Sequence, residues 1–154
     1  MLKLSDDYLI GFIEGEGMFY IGIVSSKETT SGWQVIYFFK VSQNPSGKVV
    51  LDYLKKRLQC GYIKANSKTD QTDRSLAFVV RNYDDLKNKV LPFLKDKLVI
   101  KRRDFEKFRK VIGLVGQKKH LTKEGVSQII DLAYAMNTGR RKFTKRKILK
   151  AYKD

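Results

Sequence analysis

Residues 9–17, Leu9-Ile10-Gly11-Phe12-Ile13-Glu14-Gly15-Glu16-Gly17, impose demands that few folds meet together. Gly11 and Gly15 fall one turn apart in an otherwise apolar helical segment, where each glycine costs about 1 kcal/mol relative to alanine. Nothing local offsets that cost. Glu14 and Glu16 fall in the last turn, where the negative end of the helix dipole disfavours an anion by roughly 0.3–1 kcal/mol. A cation bound there removes the conflict. Ser5 is a suitable N-cap, and Asp6 and Asp7 suit the first turn, so a helix is predicted from there to Glu16, ended by Gly17.

The period then switches to two. Phe19, Ile21 and Ile23 alternate with Tyr20, Gly22 and Val24, which predicts a strand of about eight residues. After a polar turn at Lys27 to Gly32, Val35, Tyr37, Phe39 and Val41 oppose Gln34, Ile36, Phe38, Lys40 and Ser42, completing a hairpin. Asn44-Pro45-Ser46-Gly47 breaks the chain, and Val49, Val50, Tyr53, Leu54 and Leu58 recur at helical spacing. A second hairpin follows, with strands at Gly61 to Asn66 and Leu76 to Val80. Tyr83 to Lys97 reads as a helix that Pro92 kinks or ends near Leu91. Val99 to Val115 is a basic helix, Thr122 to Met136 is another capped by Thr122, and residues 138–154 form a basic, partly helical C-terminal tail.

The order is αββαββα followed by further helices. It predicts an α+β fold with a four-stranded antiparallel sheet and helices on one face. Residues 1–154 show no linker, and at 42% hydrophobic content the chain is long enough for one domain with a real core. If the helices cover the Phe19, Ile21 and Ile23 face, the other face carries Tyr20, Ser26, Gln34, Lys40, Lys64, Asn66 and either Arg74 or Arg81.

Composition says what meets that face. A net charge of +16, from 32 Lys+Arg against 16 Asp+Glu, predicts a polyanionic partner, with nucleic acid ahead of a membrane surface. No apolar run approaches the roughly 20 residues that span a bilayer, so no membrane partner is expected. One cysteine, Cys60, excludes an internal disulfide, and with one histidine, His120, it cannot build a zinc site. Any metal is therefore oxygen-ligated. His120 sits in a loop far in sequence from the acids and is read as a surface or capping residue, not a general base. No signal peptide is evident, because Leu4-Ser5-Asp6-Asp7 begins a helix at once.

A basic antiparallel sheet can enter a DNA groove with side chains of one parity reading base edges. Gln34 and Asn66 suit adenine, Lys40 and Lys64 suit guanine, and Ile36 or Val24 can meet a thymine methyl. Taken singly, each fits a solvated sheet face; the charge unites them. Lys27, Lys68 and Arg74 extend the same surface, and the basic helix at Lys101 to Lys110 and the tail suit phosphates.

The motif at 9–17 resembles the element that gives the LAGLIDADG homing endonucleases their name. Leu9, Gly11, Ile13 and Gly17 match letter for letter, and Glu14 and Glu16 replace aspartates. The αββαββα order, Leu91-Pro92-Phe93-Leu94-Lys95-Asp96-Lys97 and the stretch from His120 to Asn137 are also similar to that family, so the resemblance covers nearly the whole chain. A single motif implies a homodimer, in which small residues at Gly11 and Gly15 let two helices pack closely, with Leu9, Phe12 and Glu14 on the same seam. Two saddle-shaped sheets then make one groove over a roughly palindromic target.

The resemblance further implies cleavage of both strands of double-stranded DNA by an Mg²⁺-dependent endonuclease, with Mn²⁺ able to substitute. Glu16 is the catalytic acid, with the Gly15 carbonyl as second metal ligand. Gln43 orients water and Lys97 is the basic residue near the scissile phosphate. Glu14 is structural. Some relatives carry an arginine four positions after the glutamine; here that position is Gly47, followed by Lys48. The alternatives are a maturase, for which intron RNA is the partner, and a non-cleaving DNA-binding protein of the same fold. Retention of an acid at Glu16 argues against the latter. Lysine outnumbers arginine, as in AT-rich genomes, and no transit peptide is seen, so an intron-encoded product of a chloroplast or mitochondrion is expected.

Overall fold

The computed structural model describes residues 2–137 and 141–152. Helix α1 (Asp6–Glu16) leads into strands β1 (Gly17–Ser25) and β2 (Trp33–Gln43). Helix α2 (Lys48–Leu58) precedes β3 (Tyr62–Ala65) and β4 (Leu76–Val80). The helical run α3 (83–94), then α4 (Arg102–Gly116), α5 (Lys123–Tyr134) and α6 (Lys145–Leu149) complete the chain. The αββαββα order and the four-stranded sheet are those expected. The strand order is β1-β2-β4-β3, with β2 and β3 each antiparallel to β4. Among the described residues no helix is long and apolar enough to cross a membrane.

The chain packs as two compact units, Met1–Phe19 with Phe38–Arg102, and Tyr20–Tyr37 with Arg103–Asp154. In the first, Ser5 caps α1 by accepting from the Tyr8 amide at 3.1 Å, and Leu9, Ile10 and Ile13 form its buried face. Register fixes the sheet: Phe39 pairs with Val80, Val41 with Phe78, and Ile63 with Phe78, so these share the buried face. Phe39 stacks on Phe19 at 5.4 Å between centroids and meets Phe78 edge-on at 6.5 Å. Val50, Leu51, Leu54 and Leu58 are the buried stripe of α2, which packs on β4. Arg57 closes the far end of α2 onto α1 with a fork to both Asp6 oxygens, at 2.8 and 2.9 Å.

Gly17 ends α1 without a left-handed turn: φ is −82° and ψ 159°, extended values open to any residue. Glycine is required there by space, because a Cβ would lie 2.7 Å from the Ile13 carbonyl oxygen and 2.9 Å from its Cγ2. Gly17→Ala is expected to destabilise the protein by about 1–3 kcal/mol, the range for forcing an extra carbon into a packed site. Chemical denaturation measures this; an unchanged midpoint would show that the junction can give way.

Two expectations are corrected. The helix expected from Tyr83 to Lys97 ends at Leu94, and its hydrogen-bond pattern changes before Pro92, at the Val90–Leu91 step. The run proceeds as Tyr83–Asp85, a π turn at Leu86–Val90, and Leu91–Leu94, with the Leu91 amide reaching back to the Leu86 carbonyl. The wider turn places Pro92 near the start of a fresh segment, where its missing donor goes unneeded. The helix expected from Val99 begins instead at Arg102.

In the second unit, Ile21 and Ile23 are buried, as are Phe105, Phe108, Val111 and Ile112 of α4 and Val126, Ile129, Ile130 and Ala133 of α5. Thr122 caps α5 through the Gly125 amide at 3.0 Å. The C-terminal residues expected as a tail are tied down where described. The Arg141 guanidinium donates to the carbonyls of Ile21 at 2.9 Å, Met136 at 3.4 Å and Ala133, and lies over the rings of Tyr20 and Tyr134. Tyr134 donates its hydroxyl to the Phe143 carbonyl at 2.6 Å, and Ile148 of α6 is fully buried. Residues 138–140, 153 and 154 of the expected tail lie outside the described residues.

Candidate active site and nucleic-acid interface

Helix α1 has two contrasting faces. Leu9, placed by the sequence on a dimer seam, is fully buried in its own chain and is withdrawn from any surface role. Gly11 and Gly15 are exposed, and among the described residues no atom beyond the chain neighbours and the helix's own backbone lies within 4 Å of where a Cβ would stand on either. The chain's own packing therefore gives no reason for them. Tyr8, 49% exposed, and half-buried Phe12 stack along the same helix at 6.5 Å.

The two acids at the end of α1 do different things. The Glu14 carboxylate accepts the backbone N–H groups of Val99, Ile100 and Lys101, at 3.1–3.2 Å for the latter two. The Lys101 ammonium donates to the Glu14 carbonyl at 2.8 Å. Glu14 thus holds the residues just before α4, which explains why that helix starts late and why Val99 and Ile100 stand 82% and 81% exposed. Glu16 is exposed, and among the described residues its carboxylate takes part in no hydrogen bond or ion pair. It lies where the last carbonyls of a helix lack intrahelical donors.

A hard divalent cation wants oxygen ligands, and the exposed Glu16 carboxylate beside those carbonyls, Gly15 included, fits as part of such a set. Among the described residues no cluster of three or more His, Cys, Asp or Glu could hold a metal alone.

The other expected catalytic residues are turned elsewhere. Gln43, at the end of β2, accepts the Asn44 amide on its Oε1 at 2.8 Å. Its side chain fills the space over Gly47, where a Cβ would come within 2.0 Å of the Gln43 Cγ. Lys48, a possible replacement for the arginine of some relatives, is paired with Asp52 at 2.9 Å. The Lys97 ammonium lies 5.6 Å from the centroid of Phe93, the ring that also carries Arg57 at 5.0 Å. The Asp6 carboxyl is held below its ordinary range first by its hydrogen bond from Arg57, and the charges of Arg57 and Lys97 act in the same direction. Helix α1 has eleven residues, about 16 Å in length, with Asp6 at its start. Glu16 stands at the other end.

The open face of the sheet in the first unit gathers basic and polar groups. Lys40 and Tyr62 both pair with Val79, while Ser42 and Lys64 both pair with Ala77, so these residues share one side. Val79 and Ala77 are themselves fully buried beneath the longer side chains. Lys40 donates from Nζ to Asn66 Oδ1 at 3.3 Å. Arg81 donates from Nε to the Tyr62 hydroxyl at 3.0 Å, its guanidinium 4.8 Å from the Phe38 centroid. Burial, then the charges of Lys64 and Arg81, hold the Lys40 pKa below its usual value. Lys68 and Arg74 are exposed in the β3–β4 turn. There Asp70 and Asp73 are held below the ordinary carboxylate range by hydrogen bonds from Thr72 and Ser75, respectively.

In the second unit, Lys27 and Gln34 are exposed, Ile36 is half-buried, and the Ser26 hydroxyl oxygen accepts the Glu28 amide at 3.2 Å. Tyr20 lies over Gly22, where a Cβ would be 2.8 Å from its hydroxyl, and beneath Arg141, so its ring is engaged within the chain. His120 lines a cavity with Trp33, Tyr37 and Tyr152; among the described residues its buried Nδ1 has no partner, and burial lowers its pKa. Tyr62 and Phe38 were missed as partners of Arg81. Strand parity already set Phe38 beside Lys40, and that signal could have found it.

Comparison with known proteins agrees with this fold. A homing endonuclease crystal structure, I-TnaI, is 32% identical with a TM-score of 0.81, covering 97% of each chain. I-SmaMI bound to uncleaved DNA target in the presence of calcium ions is 27% identical with a TM-score of 0.83; the match covers 97% of this chain and 49% of that one. Probable intron-encoded endonuclease 2 of Neurospora crassa is 28% identical over 134 residues, 86% of this chain but 27% of the relative. This chain thus spans about a quarter of that curated relative's length. Residues 9–112, from the first leucine of the motif into α4, match the LAGLIDADG endonuclease profile, and the chain belongs to that family.

Proposed function

We propose that the chain is a site-specific DNA endonuclease acting as a homodimer, each protomer supplying one Glu16 to the hydrolysis of one strand. The observation that carries this is an exposed carboxylate, unpartnered among the described residues, at the negative end of α1, on a helix whose exposed glycines the packing of those residues does not explain. Close helix packing across a two-fold axis uses the glycines and brings two Glu16 residues together. The intron-encoded relatives support an origin within an intron.

A divalent cation bound here, Mg²⁺ with Mn²⁺ as substitute, polarises phosphate and lowers the pKa of water. Glu16 and the Gly15 carbonyl would hold it. Gln43 keeps one amide N–H₂ group to orient a water, since its Oε1 is taken by Asn44. Lys97, whose ammonium among the described residues makes a cation–π contact on an exposed surface, leaves Phe93 at a cost of about 0.5–1 kcal/mol to reach a phosphate. The basic sheet face and Lys68 and Arg74 bind the duplex.

A supercoiled plasmid carrying a site selected for binding should be linearised with Mg²⁺ and left intact with EDTA. Absence of any metal-dependent linearisation contradicts the proposal.

A further inference from the structure

We propose that the cavity lined by Trp33, Tyr37, His120 and Tyr152 in the second unit is a binding site for one unstacked base of a single-stranded nucleic acid, a ligand distinct from the duplex assigned to the sheet. It uses no residue assigned to cleavage, so its failure leaves that reading standing.

The cavity has a volume of about 790 Å³, inside the range of roughly 300–1,000 Å³ in which proteins hold small organic ligands. Strand β2 builds one wall. Residues alternate sides along a strand, and Trp33, Val35 and Tyr37, of one parity, all line the cavity, while of the other parity only Gln34 borders it. Trp33 is held in place from two directions. Thr29 Oγ1 and Ser31 Oγ donate to its carbonyl at 2.9 and 3.2 Å, and the Phe143 ring meets its indole edge-on with centroids 4.8 Å apart.

His120 and Tyr152, both half-buried, add two more rings. Burial holds the His120 pKa down, so at neutral pH it presents an uncharged plane. Among the described residues its buried Nδ1 has no partner, and an apolar side chain would fill the space without that cost. Packing alone therefore does not account for a histidine. Leu121 lines the same cavity yet is 66% exposed, which is costly for the free protein and useful at the mouth of a site for a flat apolar face.

Charge identifies the polymer that carries the base. Lys27, Lys119 and Lys150 are exposed, and each directly precedes a residue that lines the cavity, namely Glu28, His120 and Ala151. Among the described residues none of the three is in an ion pair. Cations that follow a backbone beside rings that stack its bases are the two parts of a single-strand site. Phosphate alone is a poorer occupant, because the Glu28 carboxylate at the wall repels an anion and accepts from a base amino group. A duplex is poorer too, since its bases must first leave their stack.

Trp33 is the only tryptophan of the chain, so its fluorescence reads the cavity directly. Short single-stranded RNA or DNA added to the full chain should quench it saturably, and an abasic strand of the same length should not. Tyr152→Ala removes one stacking ring and should weaken single-strand affinity by about 5- to 150-fold, while duplex affinity, read by gel shift in Ca²⁺, stays within a few-fold. Leu121→Ala, at an exposed position where the fold loses little, should weaken it in the same direction. No quench by either single strand overturns the proposal, as does equal binding of the abasic strand, which assigns phosphate contacts only. Single-strand affinity unchanged in both variants also overturns it. So does a parallel loss of duplex and single-strand binding in a Tyr152→Ala protein that melts normally, because one surface then serves both.

Discussion

Glu16→Gln is expected to reduce DNA cleavage by at least about 100-fold, the scale seen when one preorganised electrostatic group is removed from a transition state, while affinity for the target stays within a few-fold. Glutamine keeps the size of the side chain and removes the charge. Because Glu16 is exposed and unpartnered among the described residues, the fold loses nothing by the change. The negative end of α1 gains slightly, since an unfavourable anion disappears. Thermal stability should therefore hold or rise while activity collapses. Parallel melting curves and cleavage time courses measure both, and a variant that still cuts at a comparable rate removes Glu16 from the mechanism.

Glu14→Ala should behave in the opposite way. Three amides, those of Val99, Ile100 and Lys101, lose a charged acceptor. Hydrogen bonds to charged groups contribute about 1.5–3 kcal/mol, and water reaches the exposed Val99 and Ile100 segment to replace part of the loss. A net destabilisation of about 2–3 kcal/mol follows, or about 4–12 °C in Tm for a chain of this size. Glu14→Gln retains one acceptor oxygen and should lose about half as much. The turn so released carries Lys97, so cleavage should fall as well, but through disorder and with a lowered Tm. A Tm unchanged within about 1 °C would show that water replaces the carboxylate fully.

The opposite signs of these two predictions come from two glutamates separated by one glycine, and the sequence already told them apart: residues two apart on a helix do not share a face. The period change at Gly17 and the two hairpins were equally legible, because alternation and helical spacing are local properties. What could not be read depended on distant partners. The start of α4 is delayed by a carboxylate about 85 residues earlier in the chain. Pro92 was read as a breaker because propensity does not register a π turn in front of it. The C-terminal residues read as a basic, partly helical tail, and nothing local shows that Arg141 will find three carbonyls and two tyrosine rings. Leu9 matched a motif letter, and its burial depends on which side of α1 meets the core.

In the site, residue types were legible and their orientations were not. Lys40 and Asn66 were both expected on the open face, yet the hydrogen bond that joins them is visible only in the structure. Gln43 and Lys97 were named from the family pattern, and both are found engaged with their neighbours at Asn44 and Phe93.

The central claim is that one Glu16 from each of two protomers serves one strand. Mixed dimers of the unaltered chain and Glu16→Gln, separated by two affinity tags and given a supercoiled target plasmid with Mg²⁺, test it most directly. Accumulation of nicked circles with little linear product is the expected result. Linearisation at the rate of the unaltered dimer, or full activity in a protein that stays monomeric on its DNA, would contradict it.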